Sequence, residues 1–313
     1  FLHPECADSP FSRWVCRAIV PLPMSSMPRF LCLLLVPFAA ACWRGERRHF
    51  EIQNLGSDTM LEVAGAWAEA YDKVQDHTVL SVSGGGSGTG IAAMIAGDVD
   101  IANSSRQIKK RELESAERRG QHPVMHKVGF DGIAIYVHKD NPIESLSLAQ
   151  LAALFGDGGA LSRWSQLGVD LGDPSLDPIV LASRQNNSGT YEYFREAVLG
   201  GAAGRFKPEC NNLNGSKDVV DFCAKTRSAI GYSGMAYATP EVRLVPVRKT
   251  PDGPAVPPSN DAVIDGSYPI ARPLFMYTNG EPEGRILEYL DWIKSDAGQR
   301  VLLEHGYPPL RKL

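Results

Sequence analysis

Arg184-Gln185-Asn186-Asn187-Ser188-Gly189-Thr190 is the stretch on which the fold turns. An apolar run of strand character, Ile179-Val180-Leu181, leads into it, and an amphipathic run marked by Tyr191, Phe194, Val198 and Leu199 leaves it. Ser188 is an N-cap residue, Gly189 lets a ligand approach the backbone, and Thr190 adds a hydroxyl in the first helical turn. The unit therefore offers unpaired backbone N–H groups, the positive end of a helix dipole and, at Arg184, a guanidinium just upstream. Such a set suits a tetrahedral anion. A capped helix beside a surface arginine would need no ligand, but the chain builds the same construction twice more.

The first repetition starts from Phe50 and Ile52, which run into Gly56-Ser57-Asp58-Thr59. Met60, Val63, Ala64, Trp67, Ala68 and Tyr71 then recur at helical spacing, which puts Ser57, Asp58 and Thr59 at a helix N-terminus. The second follows a strand at Val79 to Val82: Gly84-Gly85-Gly86-Ser87-Gly88-Thr89-Gly90, then a helix expected over 91–96 and closed by Gly97. The glycine run has no Lys-Ser/Thr pair for a P-loop. Thr89 stands where the dinucleotide fingerprint and the nucleophile elbow each need a glycine. What survives is exposed backbone N–H groups with the hydroxyls of Ser87 and Thr89. A short strand, Val99-Asp100-Ile101-Ala102, ends in Asn103-Ser104-Ser105-Arg106, and Lys109 to Arg119 reads as a helix with a solvated face of alternating charge. Val128 to Val137 is apolar enough for a buried central strand, so the carboxylate of Asp131 within it requires a partner.

Beyond Asn141-Pro142 the strand–helix alternation continues. Leu148, Leu151, Ala152 and Phe155 mark a helix, Ser216 is read as the cap of a helix bearing Val219, Val220 and Cys223, and Ala229 to Gly234 returns as strand and turn. Residues 243–265 are rich in Pro and Gly and read as an exposed excursion. Tyr268 to Tyr277 is a further strand, and helices over 285–293 and 297–304 close the chain. The alternation predicts an α/β fold, and 313 residues give room for two ordinary domains. A formal net charge of −4 provides no global field for nucleic acid, so a bound anion must be held by local groups. No cofactor motif and no histidine or cysteine spacing suited to a metal is present.

The N-terminus reads as targeting sequence. Met27-Pro28-Arg29 is a positive start, Phe30 to Phe38 an apolar core too short for a permanent membrane span, and Ala39-Ala40-Ala41-Cys42 a small-residue ending. That ending resembles a bacterial lipobox, which implies lipidation of Cys42; secretion with Cys42 unmodified is the alternative. Residues 1–23 precede the starts Met24 and Met27, and the whole of 1–42 is set aside from the fold. Cys6, Cys16 and Cys32 go with it, leaving Cys210 and Cys223 in the body. In an exported protein these two are expected to form a disulfide worth about 3 kcal/mol, with two separate buried thiols as the alternative.

Four stretches, in order, resemble the phosphate-binding component of bacterial phosphate ABC transporters: Gly56 to Thr59, Gly84 to Gly90, Asp100 to Arg106, and Arg184 to Thr190. The resemblance implies a two-lobe periplasmic-binding fold of the type II class, each lobe a sheet flanked by helices, with the ligand in the cleft. It implies one lobe of residues 49–132 and 272–313 and another of 133–271. Carried over by position, the phosphate groups would be Ser57, Asp58, Thr59, Ser87, Ser104, Ser105, Arg184, Ser188, Gly189 and Thr190. It further implies a monomeric, non-enzymatic receptor outside the cytoplasm, periplasmic or anchored through Cys42, that passes inorganic phosphate to permease subunits. One departure stands out: Ser105 occupies the place where the family carries an aspartate that accepts the phosphate proton. Asp58 and Asp131 are the candidates to replace it. Without such a carboxylate, a receptor for sulfate or a phosphonate stays open. A secreted phosphatase using a loop serine would need a base, and His77, His122, His126 and His138 all fall outside the motifs.

Overall fold

In the computed structural model, which describes residues 50–313, each of the four motifs sits where a strand gives way to a helix. The leader, with Met24, Met27 and the lipobox Cys42, lies outside the described residues. The first half of the chain runs β1 (Phe50–Gly56), α1 (Leu61–Asp72), β2 (Thr78–Ser83), α2 (Ser87–Ala96), β3 (Ile101–Ser104), α3 (Lys110–Arg118) and the long β4 (Pro123–His138). Then follow β5 (Leu146–Ser147), α4 (Leu148–Phe155), β6 (Val180–Arg184), α5 (Gly189–Val198), β7 (Asn211–Leu213), α6 (Ser216–Lys225) and β8 (Ala229–Gly234). The chain ends with β9 (Val242–Val245), β10 (Val247–Arg248), β11 (Ala255–Val256), α7 (Asn260–Ile264), β12 (Ala271–Asn279), α8 (Gly284–Lys294) and α9 (Asp296–Glu304).

The main sheet has the order β2-β1-β3-β12-β4-β8-β6-β7, with β9 also on β4. The strands that feed helices are parallel to one another, β1 to β2 and β3, β6 to β7 and β8, whereas β12 and β4 run antiparallel to their neighbours. β4 belongs to both halves: its residues up to Gly132 pair with β12, and those from Ile133 onward pair with β8 and β9. Side chains alternate across a strand, so each half is buried on both faces. In the first half Ile101 and Met276 meet α1, α8 and α9 through Val63, Trp67, Leu290 and Leu302, while Ala102, Phe275 and Tyr277 meet α2 through Ile91 and Met94. Trp67 donates its indole N–H to the Gly298 carbonyl at 2.7 Å, which joins α1 to α9. In the second half Tyr232 stacks on Phe194 with ring centres 3.8 Å apart and meets Phe155 edge-on, and α6 covers the other face.

Several local expectations need correction. α2 begins at Ser87 rather than Ile91, so the end of the glycine run is its first turn; a Cβ on Gly90 would stand 2.4 Å from the Leu55 carbonyl oxygen, and only glycine lets α2 lie so close to β1. Gly215 is the N-cap of α6, and Ser216, its first residue, turns its hydroxyl to Arg184 instead. The stretch 243–265 is not a bare excursion: it carries strands and α7, and buries Val245, Val247, Ala262 and Val263 against the second-half core.

The Cys210–Cys223 disulfide is not formed; both are buried free thiols. Cys223 faces Gly231 of β8, whereas Cys210 lies near Tyr232 and Tyr191. Gly231 and Tyr232 are successive strand residues and point to opposite faces, so the sheet stands between the two sulfurs. Burial pushes the Cys210 thiol up to about 11 and the Cys223 thiol up to about 12, which keeps both protonated and unreactive. Among the described residues, no helix is long and apolar enough to cross a membrane.

Candidate functional site

Gly56 ends β1 with φ +146°, and a Cβ there would collide with the Asn103 carbonyl at 2.2 Å. This tight contact lays the Ser57–Thr59 turn directly against the end of β3. Tyr237 and Tyr307 fix the turn from behind, both donating to the Thr59 carbonyl, and Tyr237 also to that of Asp58 at 2.6 Å. Ser57 Oγ lies 3.0 Å from Ser105 Oγ, and Ser87 Oγ lies 3.3 Å from it. Ser87 Oγ also accepts the Ser105 N–H at 3.1 Å. From the second half, Thr190 Oγ1 comes within 2.9 Å of Thr59 Oγ1, across 131 residues of sequence. Ser188 caps α5 by accepting from the N–H groups of Thr190 and Tyr191. A Cβ on Gly189 would stand 2.4 Å from Ser87 Oγ and 2.5 Å from Ser105 Oγ, so the loops after β2, β3 and β6 meet at that residue. Ser57, Thr59, Ser87, Ser105, Ser188, Gly189 and Thr190 are all buried.

Ser104 alone turns away. Its hydroxyl donates to the Arg106 carbonyl at 2.7 Å and shapes its own loop.

Arg184, at the end of β6, is completely buried. Its Nη1 donates to Ser216 Oγ at 2.9 Å, and its Nη2 to Asp58 Oδ2 at 3.0 Å and the Asn214 carbonyl at 2.9 Å, while Nε is buried without a partner. Burial lowers this guanidinium from its ordinary value and the Asp58 carboxylate works against that. Asp58 Oδ1 accepts the Gly85 N–H at 2.8 Å, so both its oxygens are occupied by the protein. Asp131 also has a cationic partner: Arg272 of β12, whose Nε and Nη2 reach Asp131 Oδ2 at 3.1 and 2.8 Å. Burial raises the Asp131 carboxyl, with Arg272 and the Met235 backbone pulling it down.

Arg272 went unassigned in the sequence although a signal existed: a charged residue in an apolar strand, like Asp131 in its own, demands an opposite charge. Which strand supplies that partner depends on register, and Arg272 pairs with Asp131 directly across the ladder. The rim was also illegible. Lys109 Nζ meets Glu192 Oε1 at 2.7 Å, Asn187 Nδ2 donates to the Gly85 carbonyl at 2.8 Å, and Gly88 N–H donates to the Asn187 carbonyl at 2.9 Å. These contacts join loops of the first half to α5. Among the described residues no histidine bonds to any of the hydroxyls above, and no group of three His, Cys, Asp or Glu is placed to hold a metal.

The chain matches the model of the PBP superfamily domain over residues 44–297. It is 33% identical over 270 residues to phosphate-binding protein PstS of Pseudomonas aeruginosa, covering 83% of each chain. To phosphate-binding protein PstS of Staphylococcus aureus it is 28% identical over 265 residues, 82% of this chain and 77% of the relative. Among solved structures, a protein from Clostridium perfringens described as a phosphate ABC transporter substrate-binding protein with bound phosphate superposes with a TM-score of 0.73 at 27% identity, over 83% of this chain and all of that one. An ABC-type phosphate transport receptor from Vibrio cholerae shares the fold, with a TM-score of 0.65 at 23% identity over 82% of this chain and 99% of that one.

Proposed function

This chain belongs to the PBP superfamily domain family, and from that premise we propose that it binds inorganic phosphate outside the cytoplasm and delivers it to an ABC permease. The observation that carries the reading is that Ser57, Ser87 and Ser105 meet, and Thr59 meets Thr190, at the ends of strands from both halves, while Arg184, bonded to Asp58 of the Ser57–Thr59 turn, keeps a buried Nε donor with no partner. Stripping water from a doubly charged oxyanion is costly, and only many fixed donors offset it. The hydroxyls, the positive dipole ends of α2 and α5, and Arg184 form that set. On this reading one lobe holds 49–132 and 272–313, the other 133–271, and the anion lies between them. The rim contacts of Lys109 and Asn187 then hold the lobes shut, and the shut shape is what the permease reads. The protein acts as a monomer. The relatives are named as binding proteins, and this chain likewise binds its anion without converting it.

Asp58, with both oxygens occupied, serves as counterion to Arg184, and Asp131 serves as counterion to Arg272 through Oδ2, its Oδ1 being buried without a partner. The phosphate proton then meets serine hydroxyls, which accept as readily as they donate. Discrimination against sulfate is correspondingly weak. Ser105→Asp should raise the ratio of phosphate to sulfate affinity at least about tenfold, because a carboxylate repels an oxyanion that has no proton to give. Competition calorimetry reads the ratio, and an unchanged value would mean that position 105 does not face the anion. Lys109→Met should weaken phosphate binding by about two- to fivefold, the worth of a partly screened ion pair, and the loss should shrink as salt is raised.

The direct test is titration of ligand-free protein with phosphate by calorimetry, followed by sulfate. Saturable phosphate binding at one site supports the reading; heat only from sulfate or a phosphonate would transfer the protein to another oxyanion.

A further inference from the structure

We propose that Arg272 is a positioning residue that leaves the Thr59–Thr190 hydroxyl pair with one hydrogen aimed at the anion and locks the Ser105 loop in place. The inference deepens the phosphate reading and rests on it. Arg272 is 1% exposed, and its donors are distributed over both halves of the fold. Nη1 donates to the Ser105 carbonyl at 2.9 Å. Nη2 gives one hydrogen to Asp131 Oδ2 at 2.8 Å, and its other lies between Thr190 Oγ1 at 2.8 Å and Thr59 Oγ1 at 3.2 Å, while Nε also donates to Asp131.

A guanidinium only donates, whereas each threonine hydroxyl has one hydrogen and two lone pairs. Neither hydroxyl hydrogen can therefore point at Arg272. The two oxygens are 2.9 Å apart, so one hydroxyl donates to the other and the second is left with its hydrogen directed away from the guanidinium. That hydrogen is a donor preset for an acceptor in the cluster. Through the Ser105 carbonyl the same side chain also fixes the loop whose hydroxyl meets Ser57 and Ser87. Asp131 neutralises Arg272, so its contribution is orientation and not net charge. Thr59 and Ser105 come from the first half and Thr190 from the second, so the full set of contacts exists only when the two halves are together.

The test is a thermodynamic cycle on the full protein, with phosphate as the probe. Arg272→Met combined with Asp131→Asn removes the pair without leaving a bare buried charge. This double variant should melt near the parent and bind phosphate about tenfold or more weakly. Thr190→Val should cost about tenfold in the parent and less than about twofold in the double variant, because the hydroxyl has lost what aims it. A purely structural role for Arg272 predicts additive losses instead. Should the double variant fail to fold, Arg272→Lys retains a cation for Asp131 but cannot reach both threonines and the Ser105 carbonyl together, and the same tenfold loss is expected. Additive losses, or parent-like affinity in either variant, would overturn the proposal. Failure of the parent itself to bind phosphate would instead overturn the functional reading beneath it.

Discussion

Arg184→Ala should lose phosphate affinity by at least about a hundredfold. The side chain brings a buried guanidinium whose Nε has no partner, and charge-assisted hydrogen bonds are each worth about 1.5–3 kcal/mol. The truncation also frees Asp58, now a carboxylate beside an anion site with only the Gly85 N–H to satisfy it. The folded state suffers as well, since breaking a buried ion pair from one side costs about 3 kcal/mol or more. A second variant separates the two effects. Arg184→Ala with Asp58→Asn removes both charges and should recover much of the melting temperature while leaving phosphate binding lost. Recovery of binding in that double variant would show that Arg184 serves the fold and not the anion.

Gly189→Ala should abolish binding by a different route, with folding spared. Alanine is the better helix former, and Gly189 is the first residue of α5, so the helix itself gains. The methyl, however, would stand 2.4 Å from Ser87 Oγ and 2.5 Å from Ser105 Oγ, closer than any real carbon approaches an oxygen it is not bonded to. The loops after β2 and β3 can no longer come up to α5, and the donor set cannot assemble. Thermal melts read this cleanly. Phosphate at about 100 times its Kd should stabilise the parent by roughly 2.7 kcal/mol and leave the alanine variant unmoved. A parent-like shift in the variant would remove Gly189 from the centre of the site.

Much of the site was legible because its chemistry is local. Ser188 caps α5 and Gly97 closes α2 in a left-handed turn, as the sequence pattern predicts, since capping is settled by residues within one turn of each other. The strand–helix alternation predicts the α/β class for the same reason. The lone charge of Asp131 in an apolar strand announced that a partner was needed without saying which, and the same signal at Arg272 went unread. Cys210 and Cys223 show the converse: cysteine counting favoured a bond, but strand alternation sets the sheet between them.

By itself the sequence determined the strand–helix alternation, the chemistry at the four motif strand ends and the anion class that chemistry suits, because helical period, caps and turn residues act over a few positions. The tertiary structure alone decided that Asp58 answers Arg184, that Asp131 answers Arg272, and that hydroxyls 131 residues apart share one cluster. Those pairings follow from strand register and from the approach of one half to the other, and no short-range pattern encodes either.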